Sequence, residues 1–272
     1  MWFDSHCHLD AKEFSQDLSL VIARAAEQGV TGILVPTVDI QSIDQVVDIV
    51  EKWRPIIPYL CFTLGVHPLY TPSANESDIG VLRQNIEKYL HHPHFVGMGE
   101  IGLDYFVTNL DADKQEWFFE EQLKLAKEFD LPVILHVRKS QDQILKRLRK
   151  SALSGGIAHA FNGSHVQANE FLKLNFKLGF GGTLTYDRAL QIRRLAIDLP
   201  LASYVLETDA PDIPPAWLNN SSEHLRRNEP LEIPAIAQIF GNIRELSLPA
   251  VAHMNLNNIR AVLPRLDRLI QA

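Results

Sequence analysis

The chain is poor in cysteine. Cys7 and Cys61 are the two among 272 residues, too few for a disulfide framework. No apolar run approaches the roughly 20 residues of a membrane span. Low-complexity stretches and Gly/Ser linkers are missing as well. Positive charge is in deficit: 26 Lys and Arg stand against 33 Asp and Glu, a net charge of −7. That argues against a broad basic surface of the kind that binds nucleic acid without specificity. A local anion site remains open, because bound divalent metals add positive charge where a phosphate sits. No basic and apolar leader precedes the first candidate strand at Trp2. With the sparse cysteines, this points to a reducing, cytoplasmic location.

What is there is ordinary in bulk: 46% hydrophobic and 22% charged, with length enough for one large core. Apolar strand-like runs alternate with amphipathic helix-like runs nearly to the end. Strands are expected at 2–5, 32–37, 58–65, 95–100, 132–137, 156–160, 176–181 and 204–209. They are short and mostly apolar rather than cleanly alternating, as strands covered on both faces are. Helices are expected at 18–29, with Gly29 as the stop, and at 41–53, with Ser42 as N-cap. Further helical runs fall at 78–90, 114–129, 142–150, 165–174, 187–199 and 233–246. Eight strand–helix pairs predict an α/β fold, a (β/α)8 TIM barrel over residues 1–272 as a single domain. The competing open doubly wound sheet normally has fewer strands. The stretch Pro211–Pro230, with Pro211, Pro214 and Pro215, reads as a loop, too short to separate one domain from another.

In such a barrel, reactive residues gather at the C-terminal ends of the strands. Strand 1 runs into FDSHCHLD, where His6 and His8 flank Cys7. Residues i and i+2 of an extended chain share a face, so two imidazoles would stand side by side. Cys7 would point away and is not expected to be a ligand. An H-x-H pair alone is a weak signal in a chain with 11 His. The other strands strengthen it. Strand 3 runs into His67, strand 4 ends in Glu100, strand 5 in His136, strand 6 in His159 and strand 8 in Asp209. Singly, each has an ordinary explanation as a rim residue, a satisfied buried histidine or a cap. Together they place metal-capable side chains on one rim.

Imidazole and carboxylate donors suit Zn, Mn, Co, Ni or Mg. The set is large enough for two divalent ions, which sit about 3.5–4 Å apart in such sites, often under a shared carboxylate. Glu100 is the natural bridge. His6 and His8 with Asp209 would hold one ion, and His136 with His159 the other. Asp209 is also the candidate general base toward the attacking water. Glu207, two residues earlier on the same face, is expected to orient a ligand histidine, with a structural salt bridge as its alternative. Arg138, two residues after His136, is expected to hold a substrate phosphate or carboxylate, with a rim ion pair as the alternative. His67 is expected to contact the same substrate group.

These motifs carry a resemblance. DSHCHLD, GVHP, GEIGLD, LPVILHVR, HAFNGS and LETDAP occur in the order seen in the TatD family of metal-dependent deoxyribonucleases. The chain resembles that family over essentially its whole length, and NLNNIRAVL is similar to the family's closing helix. GGTLTYDRA looks nearest to the YjjV-like branch of bacterial hydrolases. The resemblance implies six metal ligands, His6, His8, Glu100, His136, His159 and Asp209, and two divalent ions (Mg, Mn or Zn). It implies hydrolysis of DNA phosphodiesters, often as a 3′–5′ exonuclease. Ala160 and Asn162 depart from the residues members often carry after the strand 6 histidine, which touches substrate contacts rather than metals.

Two functions follow. One is a metal-dependent deoxyribonuclease acting on DNA ends. The alternative is an amidohydrolase-like enzyme cleaving an ester, lactone or amide of a small molecule. Many barrels of the latter kind bridge their metals with a modified lysine, whereas strand 4 here ends in Glu100. No membrane partner and no obligate protein partner is evident.

Overall fold

Short apolar strands, each followed by an amphipathic run, gain most by pairing in parallel and covering both faces with neighbours. The computed structural model arranges them in this way and describes residues 1–219 and 227–270. The strands are β1 (Trp2–Asp4), β2 (Val30–Pro36), β3 (Tyr59–Leu64), β4 (Phe95–Asp104), β5 (Val133–Arg138), β6 (Gly156–Ala158), β7 (Phe176–Phe180) and β8 (Tyr204–Leu206). They lie side by side in chain order, all parallel. Between them run α1 (Leu18–Glu27), α2 (Ile43–Trp53), α3 (Asp78–Tyr89), α4 (Ala112–Glu128), α5 (Gln141–Ser151), α6 (His165–Lys173) and α7 (Leu190–Asp198). After β8 come α8 (Ile233–Arg244), α9 (Leu248–Val262) and α10 (Asp267–Ile270).

The two sheet edges meet. Ser5 N–H donates to Leu206 O at 3.0 Å, Asp209 N–H to His6 O at 2.9 Å and His8 N–H to Ala210 O at 2.8 Å. The sheet thus curls into a nearly closed (β/α)8 barrel, as the strand count predicts. Among the described residues, no helix is long and apolar enough to cross a membrane.

The core divides by strand face. Phe3, Leu34, Cys61, Val96, Ile134, Ile157 and Val205, one from each of seven strands, cluster with Ile259, Val262, Leu263 and Leu266. This is the barrel lumen, plugged by α9 and the turn after it. The opposite strand faces pack on the surrounding helices in a larger cluster. Because side chains alternate along a strand, two steps beyond Ile134, Ile157 and Val205 come His136, His159 and Glu207, all on the lumen side. The plug therefore stands beneath the residues that matter for chemistry. Helix α9 also clamps the seam: Asn255 Oδ1 accepts from Leu206 N–H and its Nδ2 donates to Phe3 O, both at 2.8 Å.

Several boundaries differ from the sequence pattern. β1, β6 and β8 stop at Asp4, Ala158 and Leu206, so His6, His8, His159 and Asp209 sit on the loops just past their strands. β4 runs on to Asp104, which leaves Glu100 inside the strand. Pairing decides this: the β4–β5 ladder continues through Gly102↔His136 to Asp104↔Arg138. Gly102 permits it, since a Cβ there would lie 2.0 Å from the His136 carbonyl oxygen. Gly29, at φ +77°, follows the end of α1 as expected. Ser42 does not cap α2 with its side chain; Asp39 Oδ1 accepts the Ser42 N–H at 2.7 Å instead. Of the expected loop 211–230, residues 220–226 lie outside the described residues. The rest is fastened to the strand end by Asn228, whose Nδ2 donates to Thr208 O at 2.8 Å and Asp212 O at 2.6 Å.

Candidate metal centre

Glu100 stands at the middle of the barrel mouth, 1% exposed, and its two oxygens face different ways. Oε2 lies 3.1 Å from His6 Nε2 and 3.5 Å from His8 Nε2. Asp209 Oδ1 completes this group at 3.5 Å from His6 Nε2 and 3.7 Å from His8 Nε2. The two histidine nitrogens are 3.2 Å apart. Four donors around one ion at 2.0–2.1 Å in a tetrahedron lie about 3.3–3.4 Å from each other, inside the range these contacts span. Glu100 Oε2 is buried without a hydrogen-bond partner, as an oxygen awaiting a cation would be. The donor set therefore fits a divalent ion. Cys7 is buried in the outer core cluster, away from this group.

The other oxygen, Oε1, lies 2.9 Å from His136 Nδ1 and 2.8 Å from His159 Nε2, and those two nitrogens are 3.3 Å apart. This second trio can also hold a divalent ion. His136 would use Nδ1, because its Nε2 is taken by Asp104 Oδ2 at 3.0 Å. A carboxylate on the far nitrogen fixes the tautomer and the ring plane. Strand-end reasoning misses Asp104, although GEIGLD places it four residues after Glu100 on the same strand.

His67, expected at the substrate, is buried against Glu100 Oε1 at 3.2 Å. Its Nδ1 accepts the Leu69 N–H at 3.1 Å, so its ring proton sits on Nε2. His67 thus presents a donor, not a lone pair, to the cluster. Arg138 is half-exposed on the rim, its Nη1 3.9 Å from Asp104 Oδ2. Glu207 is buried, accepts the Ala160 N–H with Oε1 and lies 3.9 Å from His159 Nδ1. Room for it comes from Gly179, where a Cβ would meet Glu207 Oε2 at 2.1 Å.

Charge is distributed unevenly here. Burial would raise the Glu100 carboxyl, but His159, His67 and His6 together hold it well below the usual carboxylate range. His159 is the partner: burial pushes its imidazole down, yet Glu100 and Asp209 lift it to about 10. His136 is likewise raised, the pull of Asp104 and Glu100 outweighing burial. Burial pushes His6 well down and His8 to about 4, leaving both neutral as ligands must be. Burial carries Asp209 up to about 7, with Glu100 adding to the rise and His159 opposing it.

Asp4 supports the first group from below. Its Oδ1 accepts from His6 N–H at 3.2 Å and Thr208 N–H at 2.9 Å, and Oδ2 accepts from the Thr208 hydroxyl. One buried carboxylate thereby joins the H-x-H loop of β1 to the Thr208–Asp209 pair after β8.

Comparison with known proteins agrees with this chemistry. Residues 3–264 match the family described as TatD related DNase. A protein of Escherichia coli described as the uncharacterized metal-dependent hydrolase YjjV is 37% identical over 258 residues, covering 94% of this chain and 95% of that one. A 3′-5′ ssDNA/RNA exonuclease TatD of a Pantoea species is 34% identical over 244 residues, covering 87% and 89%. The crystal structure of the E. coli YjjV protein superposes with a TM-score of 0.88 at 36% identity, over 97% of this chain and 98% of that one. The chain belongs to the TatD family and is a metal-dependent hydrolase acting on ester bonds.

Proposed function

We propose that this chain hydrolyses phosphodiester bonds of nucleic acid, DNA first, shortening single strands from the 3′ end, at a site where Glu100 and its neighbours would hold two divalent ions. The split of Glu100 carries the reading: Oε2 faces His6 and His8, while Oε1 faces His136 and His159. The nucleic-acid substrate and its polarity come from relatives named as 3′-5′ ssDNA/RNA exonucleases. Bound there, divalent ions supply Lewis acidity toward a phosphoryl oxygen and an acidified water. His6, His8 and Asp209 would hold one ion, and His136 and His159 the other. Asp104 keeps the His136 proton on Nε2 and so keeps Nδ1 free. His67, whose Nε2–H faces Glu100 Oε1 in the metal-free chain, would turn that proton to a non-bridging phosphate oxygen once Glu100 holds an ion. Asp209, beside the place of the attacking water, is the group that takes its proton. The protein belongs to the reducing cytoplasm on this reading, where the buried, free thiols of Cys7 and Cys61 stay reduced.

The test is direct. Protein stripped by a chelator and resupplied with Mg²⁺, Mn²⁺ or Zn²⁺ is given end-labelled single-stranded DNA. Progressive loss from the 3′ end is expected, abolished by Glu100→Ala and by Asp209→Ala with far-ultraviolet circular dichroism unchanged. Intact DNA under every metal, alongside cleavage of a lactone or amide, would favour the small-molecule alternative. Failure to bind metal in titration would remove the site altogether.

A further inference from the structure

We infer that Phe106 is a stacking platform for a nucleobase beside the scissile phosphate, with Arg138 and Lys139 pairing the strand's phosphates. The inference rests on the nucleic-acid reading above and deepens it.

Phe106 follows β4 by two residues and is 49% exposed. A single exposed ring is ordinary in itself; what sets this one apart is what holds it and what surrounds it. Its backbone is tied to Asp104. Asp104 Oδ1 accepts the N–H of Phe106 at 2.8 Å and of Val107 at 3.1 Å, while Oδ2 holds His136 Nε2 at 3.0 Å. One carboxylate thus ties the Phe106 loop to a candidate metal ligand. Two cations attend the ring: Arg138 Cζ lies 4.0 Å and Lys139 Nζ 4.9 Å from its centre. Both follow His136 closely along the chain, so ring, cations and ligand share one quadrant of the mouth.

Across the mouth the loops carry carboxylates: Asp10 and Glu13 follow β1, Asp39 follows β2 and Asp212 follows β8, and their charge raises the Tyr70 hydroxyl after burial has done so. A polyanion entering the mouth is turned from those carboxylates toward β4 and β5. An exposed aromatic ring with cations over it suits a single strand: a base displaces the guanidinium from the ring face and stacks there, the freed guanidinium pairs with phosphate, and sequence matters little.

The experiment compares wild type, Phe106→Ala and Phe106→Trp in the metal-supplied form, cleaving single-stranded oligo(dT). A matched series carries one abasic residue at each position near the 3′ end. Phe106→Ala should raise KM roughly tenfold, the effect of losing one stacked base. Phe106→Trp should keep or lower KM. With an abasic residue at the stacked position, wild type and Phe106→Ala should converge, because the two losses report one contact. Unchanged KM in Phe106→Ala overturns the platform. So does the same loss on every abasic substrate, which is what a merely structural role gives. Wild-type protein that neither cleaves the oligonucleotide nor binds its phosphorothioate analogue in fluorescence anisotropy refutes the nucleic-acid reading and this inference with it. Cleavage indifferent to Phe106 removes this inference alone.

Discussion

Replacing Asp104 by Asn keeps the side chain's shape and removes its charge. In the wild type Oδ1 accepts two backbone N–H groups and Oδ2 accepts the His136 Nε2 proton. The amide has one oxygen, and keeping the backbone bonds leaves its NH₂ facing His136. That group donates, so the ring proton moves to Nδ1. Nδ1 is the atom 2.9 Å from Glu100 Oε1 and 3.3 Å from His159 Nε2, the one that would meet the metal. Restoring the binding tautomer sets two donors against each other, at a cost of about 1–3 kcal/mol. This agrees with the roughly 10–100-fold loss of metal affinity typical when the partner of a ligand histidine is removed. The assay is metal titration against a chelating indicator, with hydrolysis rate followed against metal concentration. Apparent affinity should fall by about that factor, while activity recovers toward wild type as metal is raised. Circular dichroism of the chelated protein controls for folding. Affinity within about twofold of wild type would refute the role assigned to Asp104 and the Nδ1 ligand with it.

Metal affinity should rise with pH. Asp209 sits near 7 and His159 near 10 in the metal-free chain, so both carry protons below pH 7 and must release them on binding. The dependence is steepest below pH 7 and shallower above it, where the Asp209 proton is already gone. Calorimetry in buffers of different ionisation enthalpy counts these protons, and a flat affinity from about pH 5.5 to 8.5 would contradict the charge assignment. Gly179→Ala drives a methyl into Glu207 Oε2 and should cost about 1–3 kcal/mol as overpacking, read as a lower urea midpoint together with weaker hydrolysis. Asn255→Ala leaves Leu206 N–H and Phe3 O without partners across the seam. Each lost bond costs about 1–3 kcal/mol, so the urea midpoint should fall clearly, and an unchanged midpoint would show that α9 does not hold the barrel closed.

Much of the barrel is legible in the chain itself. Ile134 and Ile157 precede His136 and His159 by two, so the period of the strand already puts plug and ligand on one face. The eight apolar runs separated by amphipathic ones leave few alternatives to a parallel barrel. Strand ends are less legible. β4 continues four residues past Glu100 because Gly102 lets it approach β5, and close backbone approach has no signature in local hydropathy. Helix α9 shows in the sequence only as a motif, since its contacts with Phe3 and Leu206 join residues 252 and 49 positions apart.

Residue type and spacing by themselves determined the fold class and the donors gathered at one rim, because a barrel forces its strand ends together whatever the loops do; the family was carried by the resemblance of the motifs. The tertiary structure alone decided how those donors divide between the two oxygens of Glu100. It also decided that His67 presents a proton rather than a lone pair, that Asp104 stands behind His136, and that the half-exposed Phe106 lies under Arg138 and Lys139. Each of these depends on which groups from distant parts of the chain come within about 3 Å, the range in which hydrogen bonds set tautomers and charge. Sequence periodicity assigns a face, but only the folded packing assigns that neighbour.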